Sequence, residues 1–167
     1  MLIRPVTQAD LPAILDIHND AILNSTANWS YHPDTLEGRL ALLEELNAKN
    51  HAYIAAFEGD TLMGYAYFND FRKRDAYCQT VEHSVYVHKN HHRKGVARAL
   101  MLKLMEAAQK AQKHVMIGAL EASNEASIKL HHALGFTETG RLQQVGYKFN
   151  RYMDLVFMQR LITPLEN

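Results

Sequence analysis

The fold is decided by residues 83–97, HSVYVHKNHHRKGVA. The stretch opens as a strand, with Val85, Tyr86 and Val87 as residues that favour extended backbone. It passes through a turn rich in Asn and basic residues and enters a helix at Lys94-Gly95-Val96. Helix starts carry N–H groups without intrahelical partners and a partial positive charge. Gly95 removes the Cβ that would block close approach there. Lys89, Arg93, Lys94 and Arg98 add cations at the same end. A cation-rich helix N-terminus after a strand is a phosphate cradle in physical terms. The same charges also fit a solvated basic turn or a nonspecific nucleic-acid patch. Neither GxxxxGK[ST] nor GxGxxG occurs, which counts against kinase, NTPase and dehydrogenase chemistry.

Working outward, periodicity predicts the elements on either side. Residues 2–6 read as a short strand. Asp10 reads as a helix N-cap with Pro12 in the first turn, and Leu11, Ile14, Leu15, His18 and Ile22 form one stripe. A loop over 24–33 carries Trp29 and Tyr31, and a second helix spans 34–46. Residues 52–57 and 62–68 form a hairpin about Gly59-Asp60. The polar segment 71–76 leads to a long strand over 79–88. The helix after the turn spans 96–113, with Val96, Leu100 and Leu104 on its stripe. A short apolar strand at 115–120 precedes a helix at 124–134, which Gly135 ends. Two strands at 137–146 and 153–161 close the chain. The order β-α-α-β-β-β-α-β-α-β-β predicts a mixed α/β domain, antiparallel early with one β-α-β crossover late.

Composition narrows the function classes. The 167 residues are 47% hydrophobic and 22% charged, with eight Gly and four Pro, as in an ordinary globular chain of one domain, residues 1–167. Lys plus Arg and Asp plus Glu are both 18, and the pI is near 7.2, which argues against a general polyanion binder. The single cysteine, Cys78, has no internal disulfide partner, and a multi-cysteine zinc site is excluded. No apolar run approaches the ~18 residues a bilayer span needs, and no signal-type segment opens the chain, so a cytoplasmic protein is expected. Ten histidines are many, but His88, His91 and His92, and the adjacent His131 and His132, are neighbours that point different ways, so no metal site is expected. His18, Met101, Met105 and Met116 read as core residues.

The turn resembles motif A of the GCN5-related N-acetyltransferases (the GNAT superfamily), Q/R-x-x-G-x-G/A, over His92, Arg93, Lys94, Gly95, Val96 and Ala97. His92 stands where Gln or Arg is usual. Asn124, Ser127, Leu130, His131, Gly135 and Phe136 fall at the intervals of the family's N-x-x-A/S-x-x-L-Y-x-x-x-G-F unit. The opening Ile3, Arg4, Thr7, Asp10, Leu11, Pro12 and Ile14 is family-like too. The phrases TVEHSVYV (80–87), HVMIGALEASNEASIKLHHALGF (114–136) and QVGYKFNRYMDLVFMQ (144–159) resemble the phosphinothricin and methionine sulfoximine or sulfone branch. That resemblance covers about the whole chain and implies a largely antiparallel central sheet with helices on its flanks and splayed central strands. It implies transfer of acetyl from acetyl-CoA to the α-amine of a small amino-acid analogue, no metal, no nucleic acid, no membrane, and a homodimer with Tyr31, Arg141 and the last strands near the contact.

The resemblance also implies roles. The diphosphate sits on the N–H groups of Lys94, Gly95, Val96, Ala97 and Arg98, helped by the Arg93 and Lys94 side chains. The pantetheine arm pairs with the backbone of Val85, Tyr86 and Val87, where a bulge splays two strands. Asn124 holds the arm further along and Ser127 reaches the phosphate end. Aminolysis of a thioester needs a base, and Glu82 is the candidate, acting directly or through water; the bland alternative is a salt bridge at a polar strand end. His83 lies on the opposite face. A main-chain N–H near Val85 is the oxyanion donor. His131, where many relatives have Tyr, is the candidate acid for the leaving thiolate; otherwise it is a helix residue facing solvent. Arg72 or Arg74 would grip the acceptor carboxylate, with Asp75 at an acidic position and Thr80 and residues 148–152 as polar contacts. Trp29, Tyr31 and Phe71 would line the pocket. Two other readings remain: the same chemistry on a protein N-terminus or lysine, and a non-catalytic acyl-CoA-binding module or nucleic-acid binder.

Overall fold

The strand that opens residues 83–97 lies at the centre of a seven-stranded sheet in the computed structural model, which describes residues 1–162. The strands are β1 (Leu2–Pro5), β2 (Tyr53–Glu58), β3 (Thr61–Asp70), β4 (Thr80–Val87), β5 (Val115–Glu121), β6 (Thr137–Lys148) and β7 (Arg151–Leu161). The helices are α1 (Leu11–Asn24), α2 (Leu36–Ala48), α3 (Val96–Lys110) and α4 (Glu125–Ala133). The strand order is β1-β2-β3-β4-β5-β7-β6, and every pairing is antiparallel except β4 with β5. The expected element order and mixed, largely antiparallel sheet are both present.

Alternation along β4 sorts the two faces. Val81, Val85 and Val87 pack in the core that contains Val96, Leu100, Met101, Leu104 and Ala108 of α3. Tyr86 packs on the other side, against the cluster built from Leu11, Ile14 and Ile17 of α1 and Leu43 and Leu46 of α2. The α3 residues recur at helical spacing and are each fully buried or nearly so, which is worth about 1.5–3 kcal/mol for each of Val96, Leu100, Met101 and Leu104 in transfer free energy. Glu82 therefore shares the α1 face with Tyr86, and His83 shares the α3 face.

The parallel pairing that holds the two halves together is short. Thr80, Val81 and Glu82 register with Val115, Met116 and Ile117, and there the β4–β5 ladder stops. β4 keeps an unbroken register with β3 from Val81 to Val87. The splay is thus a divergence of β5 from β4, and the bulge expected in β4 is not there. The register shifts fall instead between Ala56 and Phe57 in β2 and within β6.

Several boundaries differ from periodicity for local reasons. Asp10 stands at the N-cap position of α1, as expected, but its side chain accepts no hydrogen bond from that helix. Its carboxylate turns back to accept from Thr7 N and Oγ1 at 2.8 Å and from both terminal nitrogens of Arg4 at 2.7 Å, closing a 3-10 turn over Gln8–Asp10. Thr35 rather than Asp34 caps α2, its Oγ1 accepting from Gly38 N at 3.1 Å, while Asp34 pairs with the buried Arg39. α3 stops at Lys110, and Lys113 N returns to Ala108 O across a left-handed Gln112. The last hairpin turns at Phe149-Asn150, both at left-handed φ of 50° and 57°, so β6 runs to Lys148 and β7 starts at Arg151. No glycine marks that turn.

The Arg4 guanidinium and the Thr7 donors hold the Asp10 carboxyl down at about 2. A carboxylate depressed on folding contributes stability that is complete above its unfolded value, ~3.9, and lost as pH falls through the folded one. Asp10→Asn should lower stability at pH 7 by about 1 kcal/mol and flatten the stability profile in that acid window. Urea unfolding of both proteins at several pH values checks it, and identical profiles would refute the assignment.

Candidate active site

The gap beyond Glu82 and Ile117 is a cavity of about 320 Å³, walled by Glu82 to Tyr86 of β4 and Ala119 to Glu121 of β5. Residues 27–29 of the α1–α2 loop form a further wall, and Asn124, Ser127 and Leu155 complete it. A strand edge without a ladder partner is able to pair with an extended ligand that carries amides.

The turn after β4 sits at the end of this gap. Gly95 is the N-cap residue of α3 at φ 77°, a conformation that favours glycine, and nothing lies within 4 Å of where its Cβ would be. The first intrahelical bond runs from Ala99 N to Gly95 O at 3.0 Å, so the N–H groups just before it are open to a ligand. Val96 is buried at 1% exposure and anchors the helix start, Ala97 is half-buried, and Arg93, Lys94 and Arg98 are exposed around it. His92 at the departing position has a structural use. Its Nε2 lies 3.0 Å from the Val87 carbonyl, so that nitrogen donates and closes the end of β4. An open anion cradle continuous with an unpaired strand edge fits a molecule with a diphosphate and an amide-bearing arm.

A profile of the acetyltransferase (GNAT) domain matches residues 3–157. The chain belongs to the GNAT acetyltransferase family. It is 43% identical over 159 residues to the L-methionine sulfoximine/L-methionine sulfone acetyltransferase of Salmonella typhimurium, covering 95% of this chain and 93% of that one. It is 35% identical to the phosphinothricin N-acetyltransferase of Streptomyces viridochromogenes, over 95% of this chain and 86% of the relative. A Salmonella typhimurium acetyltransferase solved with its cofactor acetyl-CoA superposes with TM-score 0.96 at 41% identity, over 100% of this chain and 96% of that one.

Within this GNAT domain, Glu82 is half-buried on the cavity wall, and burial raises its carboxyl pKa while the charge of Arg72 opposes that rise. Among the described residues no cation comes within ion-pair distance of it, so the salt-bridge alternative does not describe it. Tyr86 stacks on Tyr65 at 5.3 Å, its hydroxyl accepts from Asn28 Nδ2 at 3.2 Å, and burial lifts its pKa to about 12. Asn124 caps α4, its Oδ1 accepting from Ser127 N at 3.1 Å, which leaves its amide Nδ2 as the group available to a ligand.

His131 does not face solvent, and it is not among the residues lining the cavity. It is fully buried, and its Nδ1 lies 2.7 Å from the Ser127 carbonyl, which only accepts, so Nδ1 carries the proton. Its Nε2 lies 3.0 Å from Nε2 of His83, with the rings stacked at 5.0 Å. In the neutral pair His83 therefore donates, His131 accepts, and His83 Nδ1 is left bare and buried without a partner. Burial lowers both imidazoles, His83 to about 3. The one proton of the neutral His131 ring is directed at the Ser127 carbonyl. The pair sits at Gly118, just past the last parallel rung, where a Cβ would come within 2.8 Å of His83 Nε2 and 3.0 Å of His131 Nε2.

The expected acceptor contacts are less convergent. Arg72, Arg74 and Asp75 are exposed and Thr80 is half-buried, and none of them lines the cavity. Arg72 lies over the Phe71 ring at 4.2 Å and donates to the Phe71 carbonyl, while Phe71 packs edge-on against Tyr77. Trp29 lines the cavity as expected, whereas Tyr31 is exposed and donates to the Tyr147 carbonyl at 2.6 Å. Lys148 points away, into the α1–α2 loop. Sequence reasoning missed Asn28, Ser84 and Glu121. Glu121 had a signal, an acid closing the otherwise apolar run VMIGAL; it is buried and accepts from Ser123 Oγ at 2.5 Å and Thr26 Oγ1 at 3.2 Å. No group of three or more metal-ligating side chains occurs among the described residues, and no helix among them is long and apolar enough to cross a membrane.

Two expectations follow from the buried histidines. Gly118→Ala must push the two rings apart and should cost about 1–3 kcal/mol, read as a shift in urea midpoint; an unshifted midpoint would remove the pair's packing role. Unfolded histidines titrate near 6.5, while burial holds His18 down to about 4 and His83 to about 3. Below about 6.5 the unfolded chain binds more protons, so stability is complete above that pH and declines through pH 5. A melting temperature independent of pH between 7.5 and 5 would contradict this.

Proposed function

We propose that this enzyme transfers acetyl from acetyl-CoA to the α-amine of a small amino-acid analogue of the methionine sulfoximine, methionine sulfone or phosphinothricin type. The observation that carries the reading is the gap between β4 and β5, which sets the Glu82 carboxylate beside an unpaired strand edge continuous with the Gly95 cradle. The likeness to relatives named for those substrates supports the acceptor class.

Acetyl-CoA supplies the activated acyl group as a thioester. The residues that would hold it are the main-chain amides from Lys94 to Arg98 with the Arg93 and Lys94 side chains, the edge at Val85, Tyr86 and Val87, and the Asn124 and Ser127 corner. Glu82 accepts a proton from the acceptor ammonium, directly or through a water, and so frees the attacking lone pair. The Glu82 carboxylate on the cavity wall favours an incoming ammonium group, whereas Glu121 beside it is already met by Arg151 at 3.9 Å. A main-chain N–H of the open edge near Val85 meets the oxygen that gathers negative charge. A thiol with a pKa of about 8.5 leaves as thiolate without a strong acid, consistent with a neutral His131. Arg72, whose charge already reaches Glu82, remains the best candidate for the acceptor carboxylate, with Arg74, Asp75 and Thr80 nearby in sequence.

The whole chain then works as one acetyltransferase domain in the cytoplasm, in a detoxifying role, without metal, nucleic acid or membrane. A homodimer is supported by the exposed apolar side chains Leu142, Val145, Tyr147, Phe149 and Tyr152 on the edge strand β6 and its hairpin, near Tyr31 and Arg141.

Glu82→Gln should reduce kcat/KM by about 10²–10⁴ while calorimetric affinity for CoA stays unchanged. Glu82 works as the carboxylate, so wild-type activity should fall on the acid side, through a pKa raised above the ordinary carboxyl value by burial, and the variant should lack that limb. An unaltered rate would remove Glu82 from the mechanism. Acetylation of peptides in preference to free amino acids would move the acceptor class to proteins. Gly95→Val, strained at its left-handed φ, should weaken CoA binding about tenfold or more, and unchanged binding would displace the cradle.

A further inference from the structure

Lys148 is a buried ammonium with no carboxylate within ion-pair distance among the described residues. It is 4% exposed, and its Nζ donates to the carbonyls of Ile22 at 2.5 Å, Ser25 at 2.9 Å and Asn28 at 2.5 Å. An ammonium has three N–H donors, and each here has a carbonyl to meet. The Ile22 carbonyl belongs to the last turn of α1, where carbonyls lack intrahelical partners and the helix end is negative. A methionine would fill similar volume without the cost of burying a charge. What the charge adds is a fixed conformation for the chain that leaves α1.

That chain is the wall of the acceptor cavity. Asn28 is held by its carbonyl to Lys148 and donates its Nδ2 to the Tyr86 hydroxyl on β4. Trp29 lies across Gly146, two residues before Lys148 on the same face of β6, where any Cβ would collide with the indole. Tyr31 donates to the carbonyl of Tyr147 between them. On the other side Thr26 donates to Glu121 of β5 and accepts from Trp29 Nε1 through its carbonyl at 3.0 Å.

We infer that Lys148 is a positioning residue for acceptor binding: by gathering the carbonyls of Ile22, Ser25 and Asn28 it fixes the loop that presents Asn28 and Trp29 to the cavity that Glu82 also lines. It touches neither the cradle at Gly95 nor the open edge of β4. Its loss should therefore fall on the acceptor and spare the cosubstrate. This deepens the acceptor reading above and rests on it.

The chain has one tryptophan, Trp29, so the loop carries its own reporter. Lys148→Met should raise the acceptor KM about tenfold with a much smaller change in kcat. It should also move Trp29 emission to longer wavelength, increase acrylamide quenching, and leave the calorimetric Kd for CoA unchanged. Lys148→Arg keeps the cation, but its planar fork cannot converge on three carbonyls as an ammonium does; it should show the same pattern more weakly, and it stands in if the Met variant does not fold. Unchanged acceptor KM and Trp29 emission in a folded variant would overturn the assignment. So would parallel losses of acceptor and CoA binding. If the wild type acetylates no methionine sulfone or other amino acid, the acceptor reading fails, and Trp29 emission in the variants still decides whether Lys148 holds the loop.

Discussion

Three parallel rungs between β4 and β5 are the constraint on which the site depends. They join the antiparallel N-terminal half of the sheet to the C-terminal half, and their early end opens the cavity. A fourth and fifth rung would close the edge that an amide-bearing ligand needs. Three features sit at the point of divergence: Glu82 on one face, His83 stacked on His131 on the other, and Gly118 beside the rings. The imidazole pair occupies the space a side chain at 118 would need, so packing on the α3 face shapes the opening used on the α1 face.

The two helical layers divide the labour. α3 delivers its N-terminus to the end of β4 and buries its stripe beneath it, which makes the cradle rigid. The α1–α2 loop has little apolar anchorage of its own and is held by polar contacts from distant strands, Glu121 of β5 and Lys148 of β6. Such contacts specify a conformation through directed hydrogen bonds, whereas the stripe on α3 specifies it through volume.

Most of the fold was legible because its determinants are local. The α3 stripe, the Gly59-Asp60 hairpin turn and the C′ glycine at 135 each write their structure into a few neighbouring residues. The misses are positions where distant partners win. The Asp10 carboxylate is drawn off the helix end by Arg4, and Phe149-Asn150 turns at left-handed φ without glycine in a hairpin whose Gly146 and Lys148 meet the α1–α2 loop. The site divides the same way. Gly95 could be read from its place between strand and helix, since it needs a backbone conformation, whereas alternation along β4 says only that Glu82 and His83 lie on opposite faces and the resemblance singles out Glu82. The pairing of His131 with His83, 48 residues earlier, and the grip of Lys148 on a loop 120 residues earlier leave no periodic trace. A resemblance assigns His131 a position, but only its neighbours decide which of its nitrogens holds the proton.

The chain is neutral overall, yet no acidic residue occurs between Glu82 and Glu106 while Lys89, Arg93, Lys94 and Arg98 cluster around one opening. Asp20 meets Lys89 at 3.3 Å, so Arg93, Lys94 and Arg98 carry the excess of positive charge at the start of α3. A polyanion approaching it meets an attractive field well before any contact forms, and that field decays over about 10 Å at 0.1 M ionic strength. Capture of such a partner is governed by diffusion in dilute buffer and slows as salt rises, whereas its residence, set by short-range amide contacts, is comparatively indifferent to the medium.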